Sequence, residues 1–296
     1  VYACTKTDAV TGVTQKEAVK VVRVDFTPED RANAEEEGIP FADYYRAVKE
    51  KRLQEIRWMV ALKSPHIVHI NGYTAIEEPD HSALYILIRM DCLTALDQLR
   101  PAHLDDTPEQ AAALAEKVAL DICDALRVCH ENGICHRDIK PANILCVATG
   151  DFYLGDFGVS QYTAAPDATL TSSGTARYAA PEQLTGQADP RSDLYSLGLV
   201  LYELTNHWRG PFLPAYPAKL TAEDRYNAQC KRLAGGALPP PDNCPPALAA
   251  VILKLCAPDP GDRYQSVQEV LDALSPSAAP ATMQKKKPRR LWIGVG

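Results

Sequence analysis

The sequence predicts an α+β protein of two lobes, a small β-rich lobe with one long helix (residues 1–92) and a larger helical lobe (93–275). Three observations predict this. Residues 1–24 and the runs at 67–73 and 83–90 have strand character, residues 41–63 hold helical periodicity without Pro or Gly, and from Pro108 onward the pattern turns largely helical. The 296 residues suffice for two lobes with a substantial core, and 46% hydrophobic with 23% charged residues is ordinary for a soluble globular chain.

Taken in order, "VYACTKTDAVTGVTQKEAVKVVRV" reads as two strands about a turn at Thr11-Gly12. The acidic "TPEDRANAEEEGIP" that follows is an exposed connector or a short helix. In "FADYYRAVKEKRLQEIRWMVALK", Ile56, Met59, Val60 and Lys63 fall three and four apart, which predicts one long helix. "IVHINGY" and "ALYILIRM" read as two more strands. "TPEQAAALAEKVALDICDALRVCHENG" opens with a Thr cap, Pro at the first helical position and Glu in the first turn, and stops at Asn-Gly. "RSDLYSLGLVLYELTNH", "PPALAAVILKLCAPDP" and "DRYQSVQEVLDAL" predict three further helices. Residues 276–290 are small, Pro-bearing and basic, the composition of a linker.

Charge and cysteine content exclude some functions. The formal charge is -7, yet "KKKPRR" at 285–290 is basic, so the folded part is more acidic than the total and is a poor ligand for nucleic acid. Nine cysteines without a C-x-x-C pair argue against a disulfide framework or a zinc site and for a reducing compartment; Cys123, Cys129 and Cys135 read as small buried apolar groups.

The chemistry concentrates in "ICHRDIKPANILCVATGDFYLGDFGVS" (134–160). Singly, each polar residue there reads as part of a hydrogen-bonded surface turn. As a set, His136-Arg137-Asp138, Lys140, Asn143 and Asp156-Phe157-Gly158 resemble, in order and spacing, the signature of the protein kinase family. The resemblance covers residues 1 to about 275 and implies the bilobal protein-kinase fold, with ATP and Mg²⁺ (or Mn²⁺) as cofactors. It makes Asp138 the base that accepts the substrate hydroxyl proton, Lys140 a positive charge beside the moving phosphoryl group, and Asn143 and Asp156 the metal ligands. Those assignments suit the chemistry, because phosphoryl transfer needs positioning and charge cancellation, and Mg²⁺ prefers carboxylate and amide oxygens.

The same resemblance places further residues. Lys20 in "EAVK" matches the strand lysine that grips the α- and β-phosphates, with Glu17 where an apolar residue is usual. Glu55, ten residues before Pro65, matches its helix partner, Glu50 being the alternative, and Met59 would pack on Phe157 and His136. "YILIRMDCLTAL" is similar to the last strand of the small lobe and the hinge. Ile88 is then the gatekeeper, and the Arg89 carbonyl and Asp91 N–H meet the adenine edge. Ala18 and Leu145 sandwich the ring, with Val1 above it. Val1-Tyr2 resemble the residues that close a G-x-G-x-x-G-x-V loop, which places the glycines upstream of Val1. "SSGTARYAAPEQL" matches the end of an activation segment: Thr175 would reach Asp138 and Lys140, Glu182 would pair with Arg263, and Asp193 would tie the catalytic loop to a buried helix.

"DIKPAN" and "GTARY" resemble the serine/threonine rather than the tyrosine kinases, and the A-P-E and D-x-Y-S-x-G patterns set the chain apart from small-molecule kinases. Arg137 could pair a phosphate on Thr169, Thr171, Ser172 or Ser173, with Thr171 the first choice for autophosphorylation. The ending at 257–274 and the long Lys20-to-Glu55 connector resemble bacterial, eukaryotic-like (Hanks-type) Ser/Thr kinases of a Firmicutes branch. The implied partners are proteins bearing Ser/Thr hydroxyls and a second copy for autophosphorylation. Residues 276–290 then form a basic juxtamembrane linker and "LWIGVG" (291–296) the start of a transmembrane helix, tethering a cytoplasmic kinase domain to the cell membrane. A basic tail is the alternative for that segment. A catalytically impaired pseudokinase acting as a scaffold is the alternative for the whole. It predicts loss of Lys20, Asp138, Asn143 or Asp156, and all four are present.

Overall fold

The computed structural model describes residues 1–7, 12, 14–157 and 177–275. Strands β1 (Tyr2–Thr7) and β2 (Thr14–Asp25) pair antiparallel, with Gly12 between them at a left-handed φ of 69°. The acidic stretch is a helix, α1 (Pro28–Glu36): the Thr27 side chain caps the Asp30 N–H and the Asp30 carboxylate accepts from the Thr27 N–H. Then follow α2 (Phe41–Ala61), β3 (Ile70–Glu77) and β4 (Ala83–Asp91), and the four strands form one sheet in the order β1-β2-β4-β3. The third strand begins three residues later than its apolar run, because Ile67 bridges Leu154 and the Val68 N–H bonds the Leu154 carbonyl instead; within the strand the register shifts between Ile70 and Gly72.

The helix α2 is held by a stripe rather than by its polar face. Tyr45, Ile56 and Met59 are buried under the sheet, whereas Trp58 and Val60 point outward. Burying a side chain such as Ile56 or Met59 is worth about 1.5–3 kcal/mol, more than any exposed ion pair on the same helix.

Beyond β4 the short strand β5 (Thr94–Ala95) leads to α3 (Pro108–Glu131). Its Thr107–Gln110 capping box satisfies two backbone donors at its start. Strands β6 (Ile144–Cys146) and β7 (Phe152–Leu154) form a hairpin against β5. Next come α4 (Pro190–Leu204), α5 (Ala222–Leu233), α6 (Pro246–Leu255) and α7 (Val267–Leu274). The axis of this lobe is α4, which is buried along almost its whole length. It packs so tightly on α6 that a Cβ at Gly198 would lie 2.7 Å from Leu255 Cβ and 2.8 Å from Cys256 Sγ.

One apolar core runs through both lobes. It passes from Ile86 and Ile88 through Met59 and Phe157 to Ile122, Leu197 and Ile252, which holds the β6–β7 hairpin rigidly at the seam. Cys123 and Cys129 are buried in it, and burial pushes both thiols up to about 12; Cys135 is only half-buried. Among the described residues no helix is long and apolar enough to cross a membrane. The linker at 276–290 and the segment 291–296 lie outside the described residues.

Candidate active site

The seam between the lobes is built on α4. Asp193, fully buried in the first turn of that helix, accepts from the His136 N–H at 2.9 Å, the Arg137 N–H at 2.8 Å and His130 Nε2 at 2.9 Å. Three donors on one carboxylate repay its desolvation and fix the loop 136–143. Within that loop Arg137 takes a left-handed φ of 63°. His136 is fully buried, and burial lowers its pKa and keeps the imidazole neutral. Its Nδ1 faces the Asp138 N–H at 3.4 Å and its Nε2 the Gly155 carbonyl at 3.0 Å, so the proton sits on Nε2.

Asp138 stands at the centre. Its Oδ2 accepts from Lys140 Nζ and from Asn143 Nδ2, each at 2.9 Å, and Asn143 Nδ2 also donates to the Asp138 carbonyl at 2.8 Å. Among the described residues its Oδ1 is buried with no hydrogen-bond partner, an acceptor left open. The 3₁₀ turn Pro141–Asn143 and strand β6 carry Asn143, and its carbonyl receives the Gly155 N–H at 2.9 Å. Gly155 sits where a Cβ would lie 3.1 Å from Leu145 Cδ1 and 3.2 Å from Val68 Cγ2, so the chain passes close beneath Leu145 on its way to Asp156. Asp156 then adopts a left-handed φ of 51°, and Phe157 is buried with its ring 4.8 Å from His136. Met59 lies in the same core. Gly158 lies outside the described residues.

Lys20 reaches across from β2, and its ammonium pairs with Asp156 Oδ1. The ion pair expected between Lys20 and Glu55 is therefore not made. Glu55 is buried on α2, its Oε2 3.3 Å from Arg52 on the same helix face and its Oε1 without a partner among the described residues. Two forces explain this: the Asp156 carboxylate is partly exposed and costs less to approach, while Arg52 lies one turn from Glu55. Glu50, the alternative partner, binds Arg57 instead.

Burial raises the pKa of Glu55 above its ordinary 4.5, and the nearby Arg52 only partly offsets this. A carboxyl raised in the folded state supports folding fully below 4.5, and that support is lost as pH rises through the native value. Glu55→Gln is therefore expected to melt at a higher temperature than the parent chain at pH 7, with the difference closing below pH 4.5. Thermal melts at the two pH values check this; an equal difference at both would show that the charge is not the cause.

Of the residues expected to enclose an adenine, Ala18 and Ile88 share with Lys20 the face of the sheet turned to Asp156. Lys20 stands opposite Ile88 and Ala18 opposite Met90, with Ala18 and Ile88 buried and Val1 exposed at the start of the chain. Leu145 lies on β6, opposite Tyr153. The side chains of Arg89 and Asp91 turn to the other face. There Arg89 Nη1 lies 3.6 Å from Glu17, and Asn71 Nδ2 donates to Glu17 and Asp91 at 3.4 and 3.1 Å. This accounts for an acid at position 17: it is buried, but paired.

Below the seam, Glu182 is held by Arg263 through two bonds of 2.7 and 2.9 Å, and by Ser192 Oγ at 2.6 Å. Several residues that sequence reasoning passed over take part. His130 completes the Asp193 cluster, and Gln183 donates to the Arg137 carbonyl at 3.1 Å. Arg177 and Tyr178 both bond the buried Glu203, at 2.5 and 2.8 Å. Only Gln183 carried a local signal, standing three residues after Ala180 as a capping side chain. Thr169, Thr171, Ser172, Ser173 and Thr175 lie outside the described residues.

Among the described residues no three His, Cys, Asp or Glu side chains gather to hold a metal. The donor set does fit Mg²⁺, which keeps most of its shell for water and phosphate and asks the protein for one or two hard oxygens. Asn143, whose Nδ2 is engaged by Asp138, has its Oδ1 for this, and the Asp156 carboxylate already attracts an ammonium cation. A carboxylate, a lysine and two hard oxygens at the seam of a sheet lobe and a helical lobe suit the class of ATP-dependent phosphotransferases.

The sequence comparisons narrow the class. A model described as protein kinase domain matches residues 10–274, and the chain belongs to that family. Serine/threonine-protein kinase PknB of Mycobacterium tuberculosis is 34% identical over 228 residues, covering 73% of this chain and 34% of the relative. Serine/threonine-protein kinases drp72 of Corynebacterium efficiens is 34% identical over 202 residues (66% of this chain, 34% of the relative). Serine/threonine-protein kinase PknD of Mycobacterium tuberculosis is 35% identical over 229 residues (73% and 32%). The chain thus spans about a third of the length of these curated relatives. Kinases of this family use ATP with Mg²⁺ or Mn²⁺.

Proposed function

We propose that the chain is the catalytic domain of a serine/threonine protein kinase, which transfers the γ-phosphate of ATP to Ser or Thr hydroxyls of proteins. The observation that carries this reading is the open Oδ1 of Asp138, a buried acceptor beside Lys140 and Asn143. Asp138 takes up the proton of the incoming hydroxyl and aims that oxygen in line with the phosphoryl group. Lys140 lies on the same carboxylate and offsets charge on that group. Lys20 holds the α- and β-phosphates once released from Asp156, and Glu55 then becomes its counter-ion. Ala18, Ile88 and Leu145 enclose the adenine with Val1 over it, while the Arg89 carbonyl and the Asp91 N–H read its edge. Bound to Asn143 and Asp156, Mg²⁺ supplies cancellation of the triphosphate charge.

Arg137 is assigned to a phosphate on the activation segment, at Thr169, Thr171, Ser172 or Ser173, with Thr171 the first choice. Its buried Nε, which has no partner among the described residues, supports this. Thr175 reaches Asp138 and Lys140 in the same reading. Phosphorylation there requires a second copy of the chain to act as enzyme, and tethering by a helix beginning at 291 would raise the local concentration of such copies. The scaffold reading requires the loss of at least one of Lys20, Asp138, Asn143 and Asp156, and all four are present.

The test is incubation of the chain with γ-labelled ATP and Mg²⁺, alone and with a generic basic protein, followed by phosphoamino-acid analysis. Label on phosphoserine and phosphothreonine is expected. Label confined to phosphotyrosine, or none in either protein, would overturn the proposal.

A further inference from the structure

A cavity of about 450 Å³ opens between the end of α4, the turn at Gly210–Leu213 and one face of α5. Its walls carry three guanidinium groups, Arg177, Arg225 and Arg232, against one carboxylate, Glu203. Leu213 and Tyr226 are among its other wall residues, and Tyr226 is 70% exposed. The carboxylate is spent: Oε1 accepts from Arg177 at 2.5 Å and Oε2 from the Tyr178 hydroxyl at 2.8 Å. Arg232 is also engaged, donating to the Ala179 carbonyl and the Tyr195 hydroxyl. Arg225 differs. It is exposed on α5, and among the described residues its guanidinium hydrogen-bonds only the Thr221 carbonyl, at 3.3 Å. The cavity therefore offers an incoming group positive charge and no free acceptor of opposite sign.

The cavity is also within reach of the catalytic loop. The stretch from Arg177 at its wall to Gln183, whose side chain bonds the Arg137 carbonyl beside Asp138, is six residue steps. At no more than ~3.6 Å per step that is at most about 22 Å, which an extended peptide of similar length spans.

Resting on the kinase reading above, we infer that this cavity selects protein substrates, by taking the carboxylate of a Glu or Asp within about six residues of the acceptor hydroxyl, with Arg225 as the specificity-determining residue.

The experiment measures binding, by fluorescence anisotropy, of labelled peptides whose acceptor is Ala. A single Glu, or a single Lys in its place, is walked through positions up to about six residues either side, in a neutral background. One or two Glu positions are expected to bind about tenfold tighter than the matching Lys peptide, the size of one charge-assisted hydrogen bond. Arg225→Glu should invert that order, which also shows that the variant is folded. Arg46→Glu, the same charge change at an exposed site on α2, should leave the order unaltered. No positional preference, or one untouched by Arg225→Glu, would overturn the inference. Because the peptides cannot react, the result is independent of phosphate transfer, whose absence in the labelled-ATP assay would count against the kinase reading instead.

Discussion

Asp138→Asn is expected to slow phosphate transfer by roughly 10²–10⁴-fold while the fold and ATP binding persist. The hydrogen bonds around the side chain decide which way the new amide points. Lys140 and Asn143 both donate to the Oδ2 position, so an NH₂ group there would face two donors, and the amide oxygen must take that place. The NH₂ is then forced into the Oδ1 position, where the buried acceptor had been open. A donor now confronts the substrate hydroxyl instead of a base, and no rotation relieves it. Initial rates at saturating ATP, beside nucleotide binding and a thermal melt, check this. An undiminished rate would remove Asp138 from the reaction.

The second large effect concerns stability. Arg263→Ala is expected to destabilise the helical lobe by about 3–5 kcal/mol, the cost of leaving one partner of a buried pair uncompensated. Arg263 is 2% exposed. Besides its two bonds to Glu182, it donates to the carbonyls of Ala257, Pro258 and Arg191 at 2.7, 2.9 and 3.2 Å, and its guanidinium lies 4.6 Å from the Tyr195 ring centre. Truncation therefore leaves the Glu182 carboxylate with only the Ser192 hydroxyl and takes the donor from three carbonyls at once. Burial by itself raises the Glu182 carboxyl, but the bonds from Arg263 and Ser192 outweigh it and hold the pKa below 4.5. A carboxyl depressed in the folded state contributes stability that is present above 4.5 and lost as pH falls through the native value. Urea titrations at pH 7 and in acid should accordingly show the parent chain losing more stability on acidification than Arg263→Ala. Equal acid sensitivity would show that the pair is not the source.

What could be read from the sequence was whatever a local pattern determines. The periodicity of residues 41–63 and the Thr-Pro-Glu opening at 107–109 sufficed for α2 and α3, because a buried stripe and a cap are properties of neighbouring residues. The stretch at 28–36 remained open between connector and helix, since only Ala34 is buried and the Thr27–Asp30 cap decides the matter. Helix α5 was passed over because its composition is polar, although Thr221 and Asp224 form the same kind of cap. At the site, the loop 136–143 and Asp156 were legible as a motif. The partner of Lys20 was not: it depends on whether Glu55 or Asp156 is cheaper to approach across a fold, a difference in solvation that no spacing encodes. The pairing of Glu203 with Arg177 likewise joins residues 26 apart, with no periodic relation to announce it.

The three bonds to Asp193 bear on how the protein acquires its activity. They connect residues 56, 57 and 63 positions apart, and each must close a long loop before it returns any stabilisation. Local helix formation in α3 or α4 cannot shape the loop 136–143; only the docking of those helices on one another can. Catalytic competence should therefore emerge late, with the final consolidation of the lobe rather than with its secondary structure. During refolding, recovery of helical circular dichroism should precede recovery of enzymatic turnover, so that turnover reports the native ensemble rather than its compact precursors.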